Sequence, residues 1–531
     1  MIGRVVLRPG TYRDSITLMK TSNRIGEMNG ISQAAIVMAT PLNKKYLRDA
    51  GFRMEGIERA VAEDLLIAIE GDSEENVQVA LGEVDRLLSA REATDAEQVP
   101  PRTLDSALRM MPDANLAVIS VPGIYAKRET LRALRKDLNV FLFSSGLSVE
   151  DELELKRTAA TKHLLMMGPD CGTAIINNVV LGFGNIVHPG SIGIVSASGT
   201  GVQQVSTLID REGLGISQAI GTGGNDLSET VGGVMTLEGL RRLDGDAKTR
   251  VIILISKPPS PAAEGKLLRE AARSKKPVVL NFLGAKMRER GGEGPIRAAT
   301  LEDAARMACT LARGEKPTFS VLGASKDRIL ALSNSESRRM TGSQRYVRGL
   351  FSGGTLCYEA QLLLTPLIGR VHANIPLRPA DRIKNAGVSK AHTCIDMGAE
   401  EFTVGRAHPM IDFTLRQRRI LQEARDPEVA VLLLDVVLGL GSHRDPAGEL
   451  VPWITEAKGL VARREGFLSV VASIVGTSRD PQNLREQQRK LKAAGVTLMP
   501  TNAQAARIAG LIASRGAGAS QLLKEEKGSV R

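Results

Sequence analysis

The sequence predicts an α/β protein built from several domains with parallel sheets. Short apolar runs rich in β-branched residues recur along the chain, each bounded by Gly, Ser or Pro and followed by a helical pattern. Strands that are buried on both faces of a parallel sheet have this continuous apolar character. At about 150 residues per domain, the 531 residues predict three or four domains. The predicted strands are 117–121, 192–195, 251–255, 278–282, 429–434 and 468–472.

Two helices are predicted from their start signals. Ser260 precedes Pro261, and a capping hydroxyl before a proline at the first helical position is typical of a helix start. Thr300 precedes a segment with acidic residues in its first turn, where the helix dipole favours them. These patterns predict helices near 261–274 and 301–313.

Composition limits the classes of partner. Lys and Arg (70) exceed Asp and Glu (59), which suits small anionic ligands, but no long basic block is present and aromatic residues make up 3%. We therefore expect neither nucleic acid nor membrane as a partner. The four cysteines lie far apart without a C-x-x-C pair, which suits a reducing compartment, and no apolar segment reaches the length of a signal peptide or membrane span. These features predict a soluble cytoplasmic protein.

Two similar strand–loop–helix units are the main candidate for a ligand site. Each has a strand end, a Ser/Gly/Thr turn and then a helix. Free backbone N–H groups at such a helix start, without bulky side chains, form a cradle for phosphate. The alternative for each unit is that Thr200 or Thr355 merely caps its helix. The predicted phosphate-binding residues are Ser198, Gly199, Thr200, Gly201, Gly353, Gly354 and Thr355.

Familiar nucleotide and catalytic motifs are absent from the sequence. The pair Gly265–Lys266 does not lie in a Walker loop, and no G-x-G-x-x-G follows a predicted strand. Residue 196 is Ser where a nucleophile elbow around Ser198 would have Gly. No close cluster of metal ligands occurs, so no metal site is predicted.

Three glycine-containing turns after apolar segments are candidates for substrate binding. Each could present polar side chains to a cleft. Two of them have a structural alternative, which is a buried thiol for Cys171 and a helix cap for Asn225 or Asp226. The turn that contains Thr477 and Asp480 follows the predicted strand 468–472, and open α/β sheets bind ligands at such positions. The candidate residues are Gly168, Pro169, Asp170, Cys171, Asn225, Asp226, Thr477 and Asp480.

The segment 405–412 brings together a guanidinium, an imidazole and a carboxylate. Arg406 suits a carboxylate or phosphate of the substrate, and His408 with Asp412 suits proton transfer. The alternative is that His408, which precedes a proline, is a turn residue with structural hydrogen bonds.

These motifs identify a resemblance to the FdrA family, within the succinyl-CoA synthetase-like (acyl-CoA synthetase) superfamily. The resemblance is carried by Leu7–Ser15, Gly168–Cys171, Gly193–Thr200, Phe351–Ala360, Gly405–Asp412 and Gly476–Pro481. It implies several Rossmann-like and flavodoxin-like parallel-sheet domains, resembling a ligase α subunit fused to the C-terminal domain of the β subunit. The implied domains are an N-terminal α/β segment (1–90), a CoA-binding-like Rossmann domain (103–183), a flavodoxin-like ligase domain (190–314), a linker (315–348), a β-subunit-like flavodoxin domain (349–515) and a tail (516–531).

The resemblance also implies a function. In the related ligases two helix N-termini face each other across a phosphorylated intermediate, and the two similar units fall on those positions. FdrA-like proteins are associated with allantoin (purine) breakdown and resemble a subunit of oxamate carbamoyltransferase. The implied reaction interconverts oxalurate plus phosphate with oxamate plus carbamoyl phosphate, in a hetero-oligomer with other subunits of the same pathway.

Three departures from the ligases shape the prediction. The stretch Lys286–Gly294 lacks the histidine that the ligases phosphorylate. Their ATP-grasp domain has no counterpart, and the segment between the two ligase-like blocks is too short to hold one. The loop Gly10–Arg13 also lacks the ligases' usual CoA-loop pattern. The main prediction is therefore a carbamoyltransferase subunit. The alternatives are an acyl-CoA synthetase that uses CoA and Mg-ATP through a partner, and a non-catalytic ligand-binding or scaffolding subunit.

Overall fold

A computed structural model describes residues 2–52, 58–89, 101–285, 294–316 and 326–517. The chain divides into two compact units. Unit 1 comprises residues 1–101 and 397–415, and unit 2 comprises residues 102–396 and 416–531. Three parts of the sequence prediction lie wholly or largely outside the described residues: the interval between the first two predicted domains (91–102), the stretch Lys286–Gly294 and the predicted tail (516–531).

Unit 1 contains an antiparallel sheet of three strands. The central strand pairs with both neighbours in the order β1-β3-β2, and its residues from Leu65 to Ile69 are completely buried. Helix α2 begins with the capping residue Thr40, which precedes a proline. The elements are β1 (Ile2–Arg8), α1 (Ser15–Gly26), β2 (Ile31–Met38), α2 (Pro41–Asp49), β3 (Leu65–Gly71) and α3 (Glu74–Ser89).

Unit 2 begins with a small parallel sheet in the order β4-β5-β6. Phe141 and Leu142 of its central strand have no exposed surface. The elements are α4 (Leu104–Met110), β4 (Leu116–Ile119), α5 (Gly123–Arg135), β5 (Asn139–Leu142), α6 (Val149–Thr161) and β6 (Met166–Met167).

A sheet of seven strands follows, in the order β13-β12-β11-β9-β10-β7-β8. The strands from β9 to β13 are parallel, whereas β7 and β8 form an antiparallel hairpin that pairs with β10. The elements are β7 (Thr173–Ile176), β8 (Val179–Gly182), β9 (Pro189–Ser196), α7 (Gly199–Arg211), β10 (Ile216–Gly221), α8 (Val234–Gly245), β11 (Val251–Ser256), α9 (Pro261–Ala271), β12 (Val278–Phe282), β13 (Ile296–Arg297) and α10 (Leu301–Ala312).

The last sheet has six parallel strands in the order β15-β16-β14-β17-β18-β19. All nine residues of β17 are buried. The elements are α11 (Lys326–Ser337), β14 (Tyr346–Phe351), α12 (Gly354–Ile368), β15 (His372–Ala373), a 3-10 turn (Pro379–Asp381), β16 (Thr393–Asp396), α13 (Glu400–Thr403, in unit 1), α14 (Thr414–Arg425), β17 (Val429–Val437), α15 (Pro446–Ala462), β18 (Ser469–Val475), α16 (Leu484–Ala493), β19 (Thr497–Met499) and α17 (Asn502–Ala513).

The structure confirms the α/β class and each of the six predicted strands. The helices predicted near 261–274 and 301–313 are α9 and α10, and both begin at the predicted caps, Ser260 and Thr300. In the part of the chain that the structure describes, no helix combines the length and the apolar character needed to cross a bilayer.

Two boundaries differ from the sequence prediction. The hairpin β7–β8 lies within the predicted Rossmann segment 103–183 but joins the next sheet, because Ile175 pairs with Ala219 of β10. The predicted linker 315–348 contains helix α11, whose residue Ile329 is buried. Polar composition suggested a linker here, but a helix that buries only part of its surface has a similar composition.

Candidate functional site

The first helix start of the predicted cradle is built from its own loop. Strand β9 ends at Ser196, and the Ser198 side chain accepts a hydrogen bond from the Gly201 amide at 2.9 Å. The Ser196 hydroxyl in turn accepts from the Ser198 amide (2.9 Å) and donates to the Ser198 carbonyl (2.8 Å). Ser198 therefore caps α7, and its local hydrogen bonds fix the direction in which the helix begins.

The second helix start depends on a distant strand. Gly353, which precedes α12, has no side chain for capping. Instead, the completely buried carboxylate of Asp435 in β17 accepts from the amides of Ser352 (2.9 Å) and Gly353 (2.8 Å). Arg416 Nη2 donates to the same carboxylate at 2.8 Å, so that its charge is paired. Sequence reasoning missed Asp435, although a lone carboxylate in an apolar nine-residue strand signals a buried partner.

The two helix starts meet in unit 2. The hydroxyl oxygens of Ser198 and Thr355 lie 2.5 Å apart. A Cβ atom added to Gly353 would lie 2.9 Å from Cγ2 of Thr200, so only glycine allows this approach. The structure thus brings the residues 198–201 and 353–355 together, and the positive ends of two helix dipoles adjoin each other.

A carboxylate and a hydroxyl also lie at these helix starts. Oδ2 of Asp396, the last residue of β16, is 2.5 Å from the position that a Cβ atom of Gly354 would occupy. Thr173 is 1% exposed, and its Oγ1 has no hydrogen-bond partner among the described residues. This oxygen lies 3.1 Å from the position that a Cβ atom of Gly199 would occupy. The sequence prediction did not include either residue. Thr173 closes the turn that begins at Gly168, which was the available signal.

The predicted residues of that turn are mostly buried. Gly168, Pro169 and Cys171 are buried, whereas Asp170 is exposed and its amide donates to the Ser144 carbonyl at 3.0 Å. The Cys171 thiol donates weakly to the Gly221 carbonyl at 3.4 Å, and burial raises its pKa to about 12. This thiol is protonated at neutral pH and behaves as a core residue.

Asp226 caps a helix. Its carboxylate accepts from the amides of Met235 (3.2 Å) and Thr236 (2.9 Å) at the start of α8. Nζ of the completely buried Lys156 lies 2.8 Å from the same carboxylate. The neighbouring Asn225 is exposed and donates to Glu152 at 3.3 Å. The hydrogen-bonding capacity of Asp226 is thus used inside the protein.

Thr477 and Asp480 connect two sheets of unit 2. Asp480 accepts from Asn185 Nδ2 (2.8 Å) and from the Ile186 amide (2.9 Å), both in the segment before β9. Thr477 donates its hydroxyl to the Ile186 carbonyl at 2.8 Å. Burial raises the pKa of Asp480. The structure gives these residues a connecting role, which the turn pattern alone did not distinguish from ligand binding.

Arg406, His408 and Asp412 lie together in unit 1. The Arg406 guanidinium stacks on the Tyr46 ring, with 4.3 Å from its central carbon to the ring centroid, and its Nη2 is 3.6 Å from Asp412 Oδ2. Burial lowers the pKa of His408 to about 4, so the imidazole is neutral at pH 7. The structure therefore places the predicted catalytic residues in unit 1 and the predicted phosphate-binding residues in unit 2.

Three family matches cover much of the chain. Residues 350–512 match the CoA-ligase family, and residues 187–284 match the CoA binding domain. Residues 1–102 match the heavy metal-associated domain of AllF. Residues 1–102 contain neither cysteine nor histidine, so they lack the thiolate and imidazole ligands that heavy metals prefer. We therefore derive no metal chemistry from this match.

Similar proteins include ligases and one uncharacterized relative. The α subunit 2 of an ADP-forming succinate–CoA ligase from Archaeoglobus fulgidus is 31% identical over 147 residues, which cover 27% of this chain and 50% of the ligase subunit. The apo structure of the dinucleotide-forming acetyl-coenzyme A synthetase 1 from Ca. Korarchaeum cryptofilum has 18% identity and a TM-score of 0.30, over 77% of this chain and 85% of its own.

The uncharacterized relative matches along nearly its whole length. Protein YahF of Escherichia coli K12 is 43% identical over 500 residues, which cover 93% of this chain and 95% of YahF. The matched segments 187–284 and 350–512 contain both helix starts, α7 and α12. The chain belongs to the family of YahF, with CoA-binding and CoA-ligase domains of the succinyl-CoA synthetase type.

Proposed function

We propose that unit 2 binds the phosphoryl group of an acyl phosphate where α7 and α12 begin. The observation that carries this proposal is the 2.5 Å contact between the hydroxyls of Ser198 and Thr355. It brings two helix N-termini to one place, and each N-terminus supplies N–H donors and roughly half a positive charge. Such an arrangement stabilises a phosphate that is leaving or attacking.

The reaction that we propose is carbamoyl transfer. A phosphate oxygen attacks the carbamoyl carbon of oxalurate, the bond from that carbon to the oxamate nitrogen breaks, and this nitrogen takes the proton of hydrogen phosphate. The products are carbamoyl phosphate and oxamate, and the reverse reaction consumes them. The helix starts hold the phosphate in both directions. This proposal is supported by the resemblance to the FdrA family and by the absence of a histidine between Lys286 and Gly294.

We also propose that substrate binding and proton transfer involve Arg406, His408 and Asp412. A buried guanidinium beside one carboxylate can take a second anionic partner, such as the carboxylate of oxamate or oxalurate. The imidazole of His408 is neutral at pH 7, which is the form that can accept a proton, although burial disfavours the protonated form. These roles are proposals that rest on the residues of unit 1.

The second candidate is an acid–thiol ligase that works with a nucleotide-handling partner. It is favoured by the matches to the CoA-ligase family and the CoA binding domain, and by the partial similarity to the α subunit 2 of a succinate–CoA ligase. At the level of family, these comparisons support the ligase more directly than the carbamoyltransferase. The acyl phosphate at the helix starts is common to both candidates.

The N-terminal loop, which lacks the usual CoA-loop pattern of the ligases, has surroundings that disfavour a CoA phosphate. In the loop Gly10–Arg13 the Gly10 amide donates to Asp64 Oδ1 at 2.8 Å. The backbone hydrogen bonds from Gly10 and Val61 hold the pKa of Asp64 below its ordinary value, so a negative charge lies beside this loop. A CoA phosphate at this amide would meet that charge, and we derive no CoA step through the loop.

The experiment that tests the proposal uses the full chain with the subunits that purify with it. Phosphate release from carbamoyl phosphate is measured with oxamate present, without ATP or CoA. Oxamate-dependent release is expected. Thioester formation that requires ATP and CoA, without such release, would favour the ligase. The absence of both activities together with specific phosphate binding would favour a non-catalytic subunit.

Matched glycine variants connect the activity to the helix starts. Gly354→Ala places a methyl group 2.5 Å from Asp396 and is expected to reduce the release strongly. Gly459→Ala, in α15, adds a methyl group with no atom within 4 Å and is expected to leave it unchanged. Equal activity of both variants would contradict the assignment of the phosphate to α12.

A further inference from the structure

Lys257 directly follows β11, at the carboxyl end of the seven-stranded sheet. Strand β11 pairs with β9 in parallel, with Ile255 opposite Ser196. The Ala197 amide donates to the Ile255 carbonyl at 3.0 Å. Lys257 is therefore one strand away from the loop that leads into α7. Ligands of open α/β sheets bind at this end of the strands.

The Lys257 side chain also reaches the beginning of α12. Its Nζ lies 5.6 Å from the centroid of the Tyr358 ring. Its charge also acts on the neighbouring buried Cys357 thiol, whose pKa is raised by burial and lowered in part by Lys257. Lys257 thus follows the strand that pairs with β9 and contacts the loop before α7, and its side chain lies beside the first two turns of α12.

The Lys257 ammonium has no carboxylate partner among the described residues, and its partner is the face of the Tyr358 ring. Lys156, by contrast, is completely buried and lies 2.6 Å from Glu152 and 2.8 Å from Asp226. Lys257 is only partly buried, so its ammonium keeps donors available for a ligand.

A phosphoryl group at the helix starts needs a cation. The two helix dipoles supply roughly one positive charge together, and the carboxylate of Asp396 beside Gly354 opposes it. A phosphate dianion is therefore not neutralised by the helices alone. The buried Thr173 hydroxyl, which has no partner among the described residues, lies beside Gly199 and offers a further donor at the same place. Lysine binds phosphate as a compact point charge.

We propose that Lys257 binds the phosphoryl oxygens of the substrate at the starts of α7 and α12. The inference rests on the proposed function and adds the residue that neutralises the phosphate. Lys257 was not among the sequence-predicted site residues. The available signal was a lysine immediately after the apolar run 251–255, since such a position lies at the ligand-binding end of a parallel sheet.

The test is calorimetric titration of the full chain with inorganic phosphate. Lys257→Met keeps an apolar stem against Tyr358 and removes the charge, and we expect affinity for phosphate to fall roughly 10- to 100-fold, the loss typical of a charged hydrogen bond. Lys257→Arg keeps the charge and is expected to lose less. Lys248→Met is the matched control, because Lys248 is exposed and precedes the opposite end of β11. It should bind phosphate as the original chain does.

The outcomes separate this inference from the proposed function. Phosphate binding by Lys257→Met equal to that of the original chain would overturn the role of Lys257 and leave the phosphate site standing. No phosphate binding by the original chain would overturn both. A parallel titration with oxamate tests whether Lys257 binds a carboxylate instead of phosphate. If Lys257→Met loses oxamate binding but keeps phosphate binding, the phosphoryl assignment would also be overturned. Unchanged thermal unfolding of the variant, expected because Lys257 forms no ion pair with the described residues, excludes misfolding as the cause.

Discussion

The helices α7 and α12 begin at the same place but are held there in different ways. Helix α7 is capped by Ser198, three residues from the amide that it binds. Helix α12 is preceded by Gly353, and its start is held by Asp435, more than 80 residues away in the chain. The first start is fixed by local sequence and the second by tertiary structure. We therefore expect a site built from both helix starts to be disturbed most by substitutions on the α12 side.

The largest effect is expected for Asp435→Asn. The substitution removes the charge that pairs with the buried Arg416 and weakens the acceptor for Ser352 and Gly353. Breaking a buried pair costs about 3–5 kcal/mol of unfolding free energy, whereas an exposed pair contributes about 1 kcal/mol or less. Urea unfolding measures this loss, with Asp105→Asn in the exposed pair with Lys136 as control. Equal losses in the two variants would contradict the long-range support of α12.

The sixth residue of each helix is buried: Glu359 in α12 and Gln204 in α7. Only the glutamate carries a carboxyl group that can lose a proton, so the two positions differ in their effect on the pH dependence of stability. Burial raises the pKa of Glu359 from 4.5 to about 7, although Leu301 and Asn502 donate to its oxygens. Because the folded state holds this proton more tightly, the Glu359 contribution to stability is complete below pH 4.5 and is lost as pH rises through 7.

The variant Glu359→Gln makes α12 resemble α7 at this position. The pKa difference at Glu359 corresponds to about 3 kcal/mol of unfolding free energy between pH 4.5 and 8. We expect this part of the pH dependence to disappear in Glu359→Gln and to persist in Glu150→Gln, an exposed control. Urea unfolding at a series of pH values provides the measurement. Identical pH profiles for the original chain and Glu359→Gln would contradict the expectation.

Alanine at the first residue of each helix gives a matched pair. A Cβ at Gly354 would lie 2.5 Å from Asp396 Oδ2, whereas one at Gly199 would lie 3.1 Å from Thr173 Oγ1. Overpacking of this kind costs about 1–3 kcal/mol, and we expect the larger loss for Gly354→Ala. Unfolding free energy and phosphate affinity should both follow this order. The reverse order would show that α7 is the less tolerant helix start.

The smallest effect is expected for Ser198→Ala. Loss of a side-chain cap costs about 1 kcal/mol, and this variant also loses the contact with Thr355. Ser148→Ala removes the cap of α6, which has no such contact. Similar changes in unfolding free energy are therefore expected for both variants, with weaker phosphate binding only for Ser198→Ala. Unchanged phosphate binding in Ser198→Ala would separate the cap from the ligand site.

The fold was predictable where local patterns determine the structure. The strand 429–434 was visible because β17 is buried on both faces, and the caps at Ser260 and Thr300 act within their own helices. The pairing of the two helix starts was also predictable, since both share one turn pattern and the resemblance implies that they face each other.

The rest depends on contacts between distant parts of the chain. No local pattern indicates that segment 397–415 belongs to unit 1, or that Asp435 holds the start of α12. Asp226 is another example: the sequence left capping and ligand binding open, and the pairing with Lys156, 70 residues away, is visible only in three dimensions. Lys257 follows an apolar run in the sequence, but only the strand order places it one strand away from the loop before α7.

The division of unit 1 into two segments has a consequence for synthesis. The segments are separated by residues 102–396, which are 295 residues (396 − 101). At about 5–20 residues per second, a ribosome needs about 15 to 60 s to translate this stretch. During that time the first 101 residues have been made but the segment containing Arg406 and His408 has not. Unit 1 can therefore be completed only after most of the chain has been translated.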